Sequence, residues 1–438
     1  MKHNVRLGVI CLARTTFDYR EAENLYRNII KELGTLENAE IIALPQLVIE
    51  PEEARAAALE LAGKDIDGLA VISGTFHLGH LVLEALKVLK KPVLLWGLPE
   101  LPYNGGKIRL NSVCGVNLNA SNLYKSGIRN YHVNVGPRID EDWVDAVRII
   151  RAYKDTRIGI LGFRARGFFN LGVYDLNVYR EMGVLIDHYE LNEVWQFPVD
   201  EGQIEAKEKQ VRKIFVVSEL TDLQVKKVAE LTARMEGFLE KHGLTALAIR
   251  CWPEFADGFG ISPCAAMSIL QSEGRILTCE GDVEGSLSMV AHRAVGGETP
   301  YLFDFSQIDF NDDTALLWHC GVAPCNLWDG KCERSLSTYF AGGRGVTADF
   351  VLKNGEVSVL RFDSAGTDYR TLLARGRVIP MEKELRGTYM KVKFDKPVKE
   401  VFNLVVENGV AHHASVVYGD FIKPFEIFSK IQGWEILK

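Results

Sequence analysis

From Val5 to about Ile160, short β-rich apolar runs (RLGVICL, AEIIAL, GLAVIS, KPVLLW, YHVNV, RIGIL) alternate with stretches of helical period such as EAENLYRNIIKEL and WVDAVRIIRAY. Strands that alternate with amphipathic helices predict βαβ units around a parallel sheet. The pattern continues through VLIDHYEL, a long helix over DLQVKKVAELTARMEGFLEKH, and two strands, ALAIRC and RILTCE, that run straight into acidic residues. A second open sheet is expected there.

After Gly297 the texture changes to short alternating segments, among them PYLFDF, TALLWHCG, VTADFVLKNGEVSVLRFD and TYMKVKF. These predict an antiparallel, barrel-like β domain, with Lys353-Asn354-Gly355 as a hairpin turn. The expected fold class is α/β: two open parallel-sheet domains, residues 1–155 and 156–295, followed by a C-terminal β domain, residues 296–438.

The composition is that of a globular chain: 438 residues, 47% hydrophobic and 25% charged, too long for one compact core. No apolar run reaches the roughly 18–20 residues that cross a bilayer, and the N-terminal stretch turns polar where a signal peptide would be cleaved. A cytoplasmic protein without a membrane partner is expected. A net charge of −7 offers no field for a phosphate backbone, so nucleic acid is not an expected partner. The eight cysteines (Cys11, Cys114, Cys251, Cys264, Cys279, Cys320, Cys325 and Cys332) form no CxxC pair and read as reduced thiols.

Candidate chemistry collects in three segments. Glu254 follows ALAIRCWP, and Asp282 follows RILTCEG. Loops at the carboxyl ends of parallel strands form the ligand crevice of open α/β sheets, so two such strands can present carboxylates to one cavity. The third segment, Gly409 to Asp420, contains His412 and His413. Neighbouring strand residues face opposite sides, so only one of the two is expected to reach a given site. Two carboxylates and an imidazole suit a hard or borderline divalent ion with positions open for substrate oxygens. For any one of these carboxylates, the competing reading is an acidic residue marking an exposed strand end.

Weaker candidates are Arg14 at the end of the first strand, His77 and His80 in GTFHLGH, Trp96 in LLWG, and His319 in WHCG. Arg14, His77, Trp96 and His319 are retained as candidate substrate contacts. The turn Gly162-Phe163-Arg164-Ala165-Arg166-Gly167 could offer two guanidinium groups to an anionic substituent, but a solvated turn is the preferred reading. Neither GxGxxG nor GxxxxGK[ST] occurs here, and no bound nucleotide cofactor is expected.

With these segments in view, the chain resembles the fucose isomerase branch of the fucose/arabinose isomerase superfamily. The likeness rests on Glu254 after a strand, on Glu280-Gly281-Asp282 followed by Gly285 and a helix, and on His413 before Ala414 and Tyr418-Gly419. It implies a metal-dependent aldose–ketose isomerase with a divalent ion, Mn²⁺ above others, held by Glu254, Asp282 and His413. Glu254 and Asp282 would be the catalytic carboxylates, the substrate a small sugar (a pentose, a 6-deoxyhexose or a C6-modified hexose), and the assembly a homo-oligomer. His412 stands where the family has Asn and Asp420 where it has His, departures that bear on sugar specificity. A sugar-binding module without catalysis, and a metal-dependent aldolase or lyase, are the competing functions.

Overall fold

The computed structural model describes residues 1–339 and 343–438. The chain divides into two compact units, one of residues 2–152 with 423–435, the other of residue 1, residues 153–422 and 436–438.

The first unit alternates β1 (Val5–Leu12), α1 (Tyr19–Leu33), β2 (Ala39–Val48), α2 (Pro51–Ala62), β3 (Gly68–Ser73), α3 (His80–Val88), β4 (Val93–Gly97), α4 (Ser112–Lys125), β5 (Tyr131–Val135) and α5 (Glu141–Lys154), which ends at the unit boundary. Its five strands are all parallel, in the order β2-β1-β3-β4-β5. Strands β3 and β4 are buried throughout, which explains their unbroken apolar runs. Helix α1 shows how the period is used: Ala22, Tyr26, Ile29 and Leu33 form its buried stripe, and Asp18 caps it by accepting from the Glu21 amide.

The second unit begins with β6 (Arg157–Leu161), α6 (Asp175–Met182), β7 (Leu185–Tyr189), α7 (Leu191–Trp195), α8 (Glu201–Ile214), α9 (Asp222–His242), β8 (Ala246–Ile249), α10 (Cys264–Ser272), β9 (Ile276–Thr278) and α11 (Val283–Ala294). Four parallel strands lie in the order β7-β6-β8-β9. The predicted long helix is α9, capped by the Thr221 hydroxyl and ended by Gly243 at φ +60°.

The chain continues through β10 (Tyr301–Asp309), β11 (Thr314–His319), β12 (Ser335–Ser337), β13 (Thr347–Val351), β14 (Gly355–Ala365), β15 (Asp368–Ile379), β16 (Thr388–Phe394), α12 (Val398–Glu407), β17 (His413–Tyr418), α13 (Ile422–Gln432) and β18 (Glu435–Leu437). Six strands run β16-β11-β10-β17-β14-β15, and the β15–β16 pairing closes them into an antiparallel ring. The barrel-like expectation holds. The hairpin at Lys353-Asn354-Gly355 does not form: β13 pairs with β12 and, in parallel, with β16, while β14 pairs with β15 and β17. The Lys353 amide instead donates to Leu327 O, which turns the chain away from β13. The real hairpin joins β14 to β15 around Gly366, at φ +71°.

The β6–β9 sheet and the barrel share one hydrophobic core that runs from Leu161 and Leu247 to Tyr301, Phe350 and Val416. Among the described residues, no helix is long and apolar enough to cross a membrane.

Candidate active site

Strands β6, β8 and β9 are parallel neighbours, so the loops after Leu161, Ile249 and Thr278 lie along one edge of their sheet. Backbone hydrogen bonds lock these loops together: the Arg250 amide donates to Leu161 O (2.9 Å), the Gly281 amide to Ile249 O (3.0 Å), and the Ala165 amide to Glu280 O (2.9 Å). Glycine is required at 281. Its φ is +76°, and a Cβ there would lie 2.6 Å from the Arg164 Cα. Glu280 is itself left-handed, at φ +63°, a conformation that costs a side-chain-bearing residue about 1–2 kcal/mol.

Asp282 caps α11, its Oδ1 accepting from the Gly285 amide at 2.8 Å. Its Oδ2 takes Arg361 Nη1 at 2.5 Å and faces His413 Nδ1 at 3.1 Å. All three residues are fully buried. Burial alone would raise the Asp282 carboxyl, but the Arg361 guanidinium and His413 hold it well below the usual carboxylate range. Arg361, on β14, also meets Glu284 at 3.2 Å and Asp363 at 3.6 Å.

The barrel supplies the opposite wall. Register places Asp304 on β10 across from His413 on β17 and Trp318 on β11, so that Asp304, His319 and His413 come together. The His319 and His413 rings stack with centroids 5.6 Å apart. His413 Nε2 lies 3.2 Å from Asp304 Oδ1 and 3.6 Å from Glu280 Oε2. Burial works against a charged imidazole, yet Asp282 and Asp304 pull His413 up to about 10.

His412 also reaches the site, contrary to the expected alternation. Strand β17 starts only at His413, so residue 412 escapes the strand's two-residue period. Its Nε2 lies 3.3 Å from Glu280 Oε2, and its Nδ1 accepts from the Asn170 amide nitrogen at 3.1 Å.

Tautomers follow from these contacts. The Cys320 amide donates to His319 Nδ1 at 2.8 Å, which puts the His319 proton on Nε2. His413 Nδ1 faces an ionised carboxylate, which holds a proton there and leaves Nε2 as the nitrogen that a cation would bind in place of a proton. That is how a metal-ligating histidine is held, with a carboxylate behind it. Asp304 Oδ1, His319 Nε2 and His413 Nε2 are buried and have no hydrogen-bond partner among the described residues. Two groups of side chains bring potential ligand atoms within 4.8 Å of one another: Glu280, His412 and His413, and Asp304, His319 and His413. Both share His413, and each sets a carboxylate beside it, a donor pair that suits a divalent ion.

The structure thus unites Asp282, His413 and His319. Glu254 belongs to neither group: one oxygen pairs with Arg250, and Oε2 is buried with no hydrogen-bond partner among the described residues. Arg14, His77 and Trp96 lie in the first unit. There Thr75 Oγ1 accepts from the Arg14 amide (2.8 Å), His77 binds Thr75 O and Asn119 Nδ2 (2.9 Å each), and the Trp96 indole donates to Gly136 O (2.9 Å). The sequence reading passed over Glu280, Asp304 and Arg361. The available signal was a charged residue inside an apolar strand, Asp304 in YLFDF and Arg361 in VSVLRF.

A family described as fucose/sulfoquinovose isomerase, N-terminal domain, matches residues 8–156. A sulfoquinovose isomerase of Priestia megaterium is 28% identical over 431 residues, covering 95% of each chain. Both matches support the resemblance to the fucose isomerase-like superfamily. Two further relatives extend the likeness: the sulfoquinovose isomerase of Alkalicoccus urumqiensis is 27% identical over 94% of each chain, and that of Clostridium sp. (strain MSTE9) 25% identical over 75% of this chain and 76% of its own. In the two longer alignments, the match runs through the barrel as well as the α/β sheets.

Proposed function

We propose that this chain is an aldose–ketose isomerase of the fucose isomerase-like superfamily, that it is divalent-metal dependent, and that it acts on a hexose that carries a sulfonate at C6, as sulfoquinovose does. The observation that carries the metal requirement is His413, with a carboxylate behind Nδ1 and carboxylates on both sides of Nε2. We assign His413 as the central ligand, with Glu280 and Asp304 as its carboxylate partners and Asp282 as the group that orients it. Oxygen and imidazole donors suit Mn²⁺. When bound, such an ion supplies Lewis-acid stabilisation of charge on the C1 and C2 oxygens.

Aldose–ketose interconversion moves a proton between C1 and C2, and the group that carries it must be basic and free to accept. Both Asp282 oxygens are engaged by Gly285, Arg361 and His413, so that carboxylate is poorly placed for the task. Glu254 is the better candidate, because Arg250 holds one oxygen while the buried Oε2 has no hydrogen-bond partner among the described residues. His319 carries its proton on Nε2 and serves as a donor to a substrate oxygen. The superfamily resemblance also supports a homo-oligomer, which sedimentation of the metal-loaded enzyme would measure.

The test is incubation with sulfoquinovose, glucose, fucose and arabinose after EDTA treatment, with and without added Mn²⁺, followed by NMR. Ketose from the sulfonated sugar, dependent on Mn²⁺, is the expected product. Fragment products would point to a lyase. Full turnover in metal-free enzyme would overturn the metal assignment.

A further inference from the structure

Resting on that reading, we infer that Arg164 is the residue that binds the anionic C6 substituent of the substrate. The site is rich in carboxylates, and an anionic sugar needs a cation there that those carboxylates have not already claimed. Two candidate guanidinium groups are taken: Arg250 is paired with Glu254 and reaches Gly162 O, and Arg361 is enclosed by Asp282, Glu284 and Asp363. Arg164 is different. Among the described residues it has no ion pair, and its guanidinium lies over the Phe163 and Phe169 rings, 5.3 and 5.2 Å from their centroids.

Its backbone is fixed against the site. Arg164 Cα occupies the space that a side chain at 281 would need, and the next residue's amide donates to Glu280 O. The same loop then returns to the site, where the Phe168 ring lies 5.5 Å from His412 and Asn170 binds His412 Nδ1. The loop therefore carries Arg164 along the rim formed by Glu280 and His412. Room for the guanidinium is conditional on Gly172, since a Cβ there would sit 2.7 Å from Arg164 Nη1. Flanking aromatic rings restrict the guanidinium while leaving its edge N–H groups free, which is the geometry that receives sulfonate oxygens. Exposed Arg166 makes none of these contacts and serves as the control.

The experiment compares wild type, Arg164→Gln, Arg164→Lys and Arg166→Gln, all loaded with Mn²⁺. Steady-state kinetics and calorimetric binding are measured for sulfoquinovose and for glucose. Because C6 is remote from the reacting carbons, the loss in Arg164→Gln should fall on KM and Kd for the sulfonated sugar, by about tenfold to a hundredfold, with kcat largely kept. Arg164→Lys should recover part of the loss, and Arg166→Gln should resemble wild type. Equal weakening of both sugars, or none, would overturn the assignment. If wild type binds sulfoquinovose without turning it over, the proposed function fails while the Arg164 comparison is still read from Kd. If wild type does not bind it at all, both fall.

Discussion

His413 Nδ1 and Asp282 Oδ2 stand 3.1 Å apart in a fully buried pair, and Arg361 binds the same carboxylate oxygen. The pairing fixes the tautomer of a histidine whose other nitrogen faces two carboxylates. Asp282→Asn should therefore leave a folded protein whose Mn²⁺ affinity, followed by calorimetric titration, drops about 10–100-fold, as for loss of an orienting partner. His413→Gln should abolish measurable binding. If the Asn variant binds no metal either, Asp282 is itself a ligand, as the family resemblance implies.

The loop between β9 and α11 makes opposite predictions for adjacent residues. Glu280 pays for a left-handed backbone that glycine adopts freely, so Glu280→Gly should leave metal-free stability unchanged or raise it by up to about 1 kcal/mol, while metal affinity and turnover fall. Gly281→Ala forces a Cβ onto Arg164 backbone and should cost about 1–3 kcal/mol. Thermal melts of the two metal-free variants check both. A Glu280→Gly protein melting well below wild type would mean that its side chain is structural.

How much of this was legible in the sequence follows from what each signal reports. Parallel strands such as GLAVIS and helices such as α9 announce themselves by local period and caps, and their order along the chain gives the sheets. The segment Cys279 to Asp282 was visible as a strand running into acid groups. Which carboxylate would face His413 Nε2 was not, because that depends on Glu280 turning left-handed while Asp282 folds back to cap α11. Asp304 becomes a neighbour of His413 only through the register of β10 against β17, a pairing across more than a hundred residues. The hairpin expected at Gly355 fails for a similar reason: Asn-Gly signals a turn, but strand partners are chosen by the closed barrel.

His292, on α11, gives a pH prediction. It is fully buried with Nδ1 2.9 Å from Ser415 Oγ, and burial lowers it to about 3. The unfolded chain takes up this proton near pH 6.5, well above the folded state, so His292 contributes stability that is fully present above pH 6.5 and is lost as pH falls toward 3. The effect is on the order of a few kcal/mol at the acid end. His292→Asn should show a shallower fall of Tm between pH 6.5 and 4 than wild type. Parallel curves would assign acid unfolding to other groups.

The last prediction separates proton movement from metal binding, two duties that the sequence placed together on Glu254 and Asp282. The unpartnered Oε2 of Glu254 and the position of Glu280 and Asp304 beside His413 Nε2 divide them differently. Glu254→Gln should keep Mn²⁺ at close to wild-type affinity and lose turnover by about 10²–10⁴-fold, the usual contribution of a positioned acid or base. Glu280→Gln and Asp304→Asn should lose metal affinity first and regain part of their turnover at high Mn²⁺. In D₂O, wild type should place solvent deuterium on C1 or C2 of the product, because a proton held on a carboxylate between the two carbons can exchange. A hydride shift would carry the substrate hydrogen across without exchange. The measurements are metal content, turnover at two Mn²⁺ concentrations, and product deuteration by NMR. Deuterium-free product would remove the base from the mechanism, and loss of metal from Glu254→Gln would return Glu254 to the ligand set that the family resemblance implies.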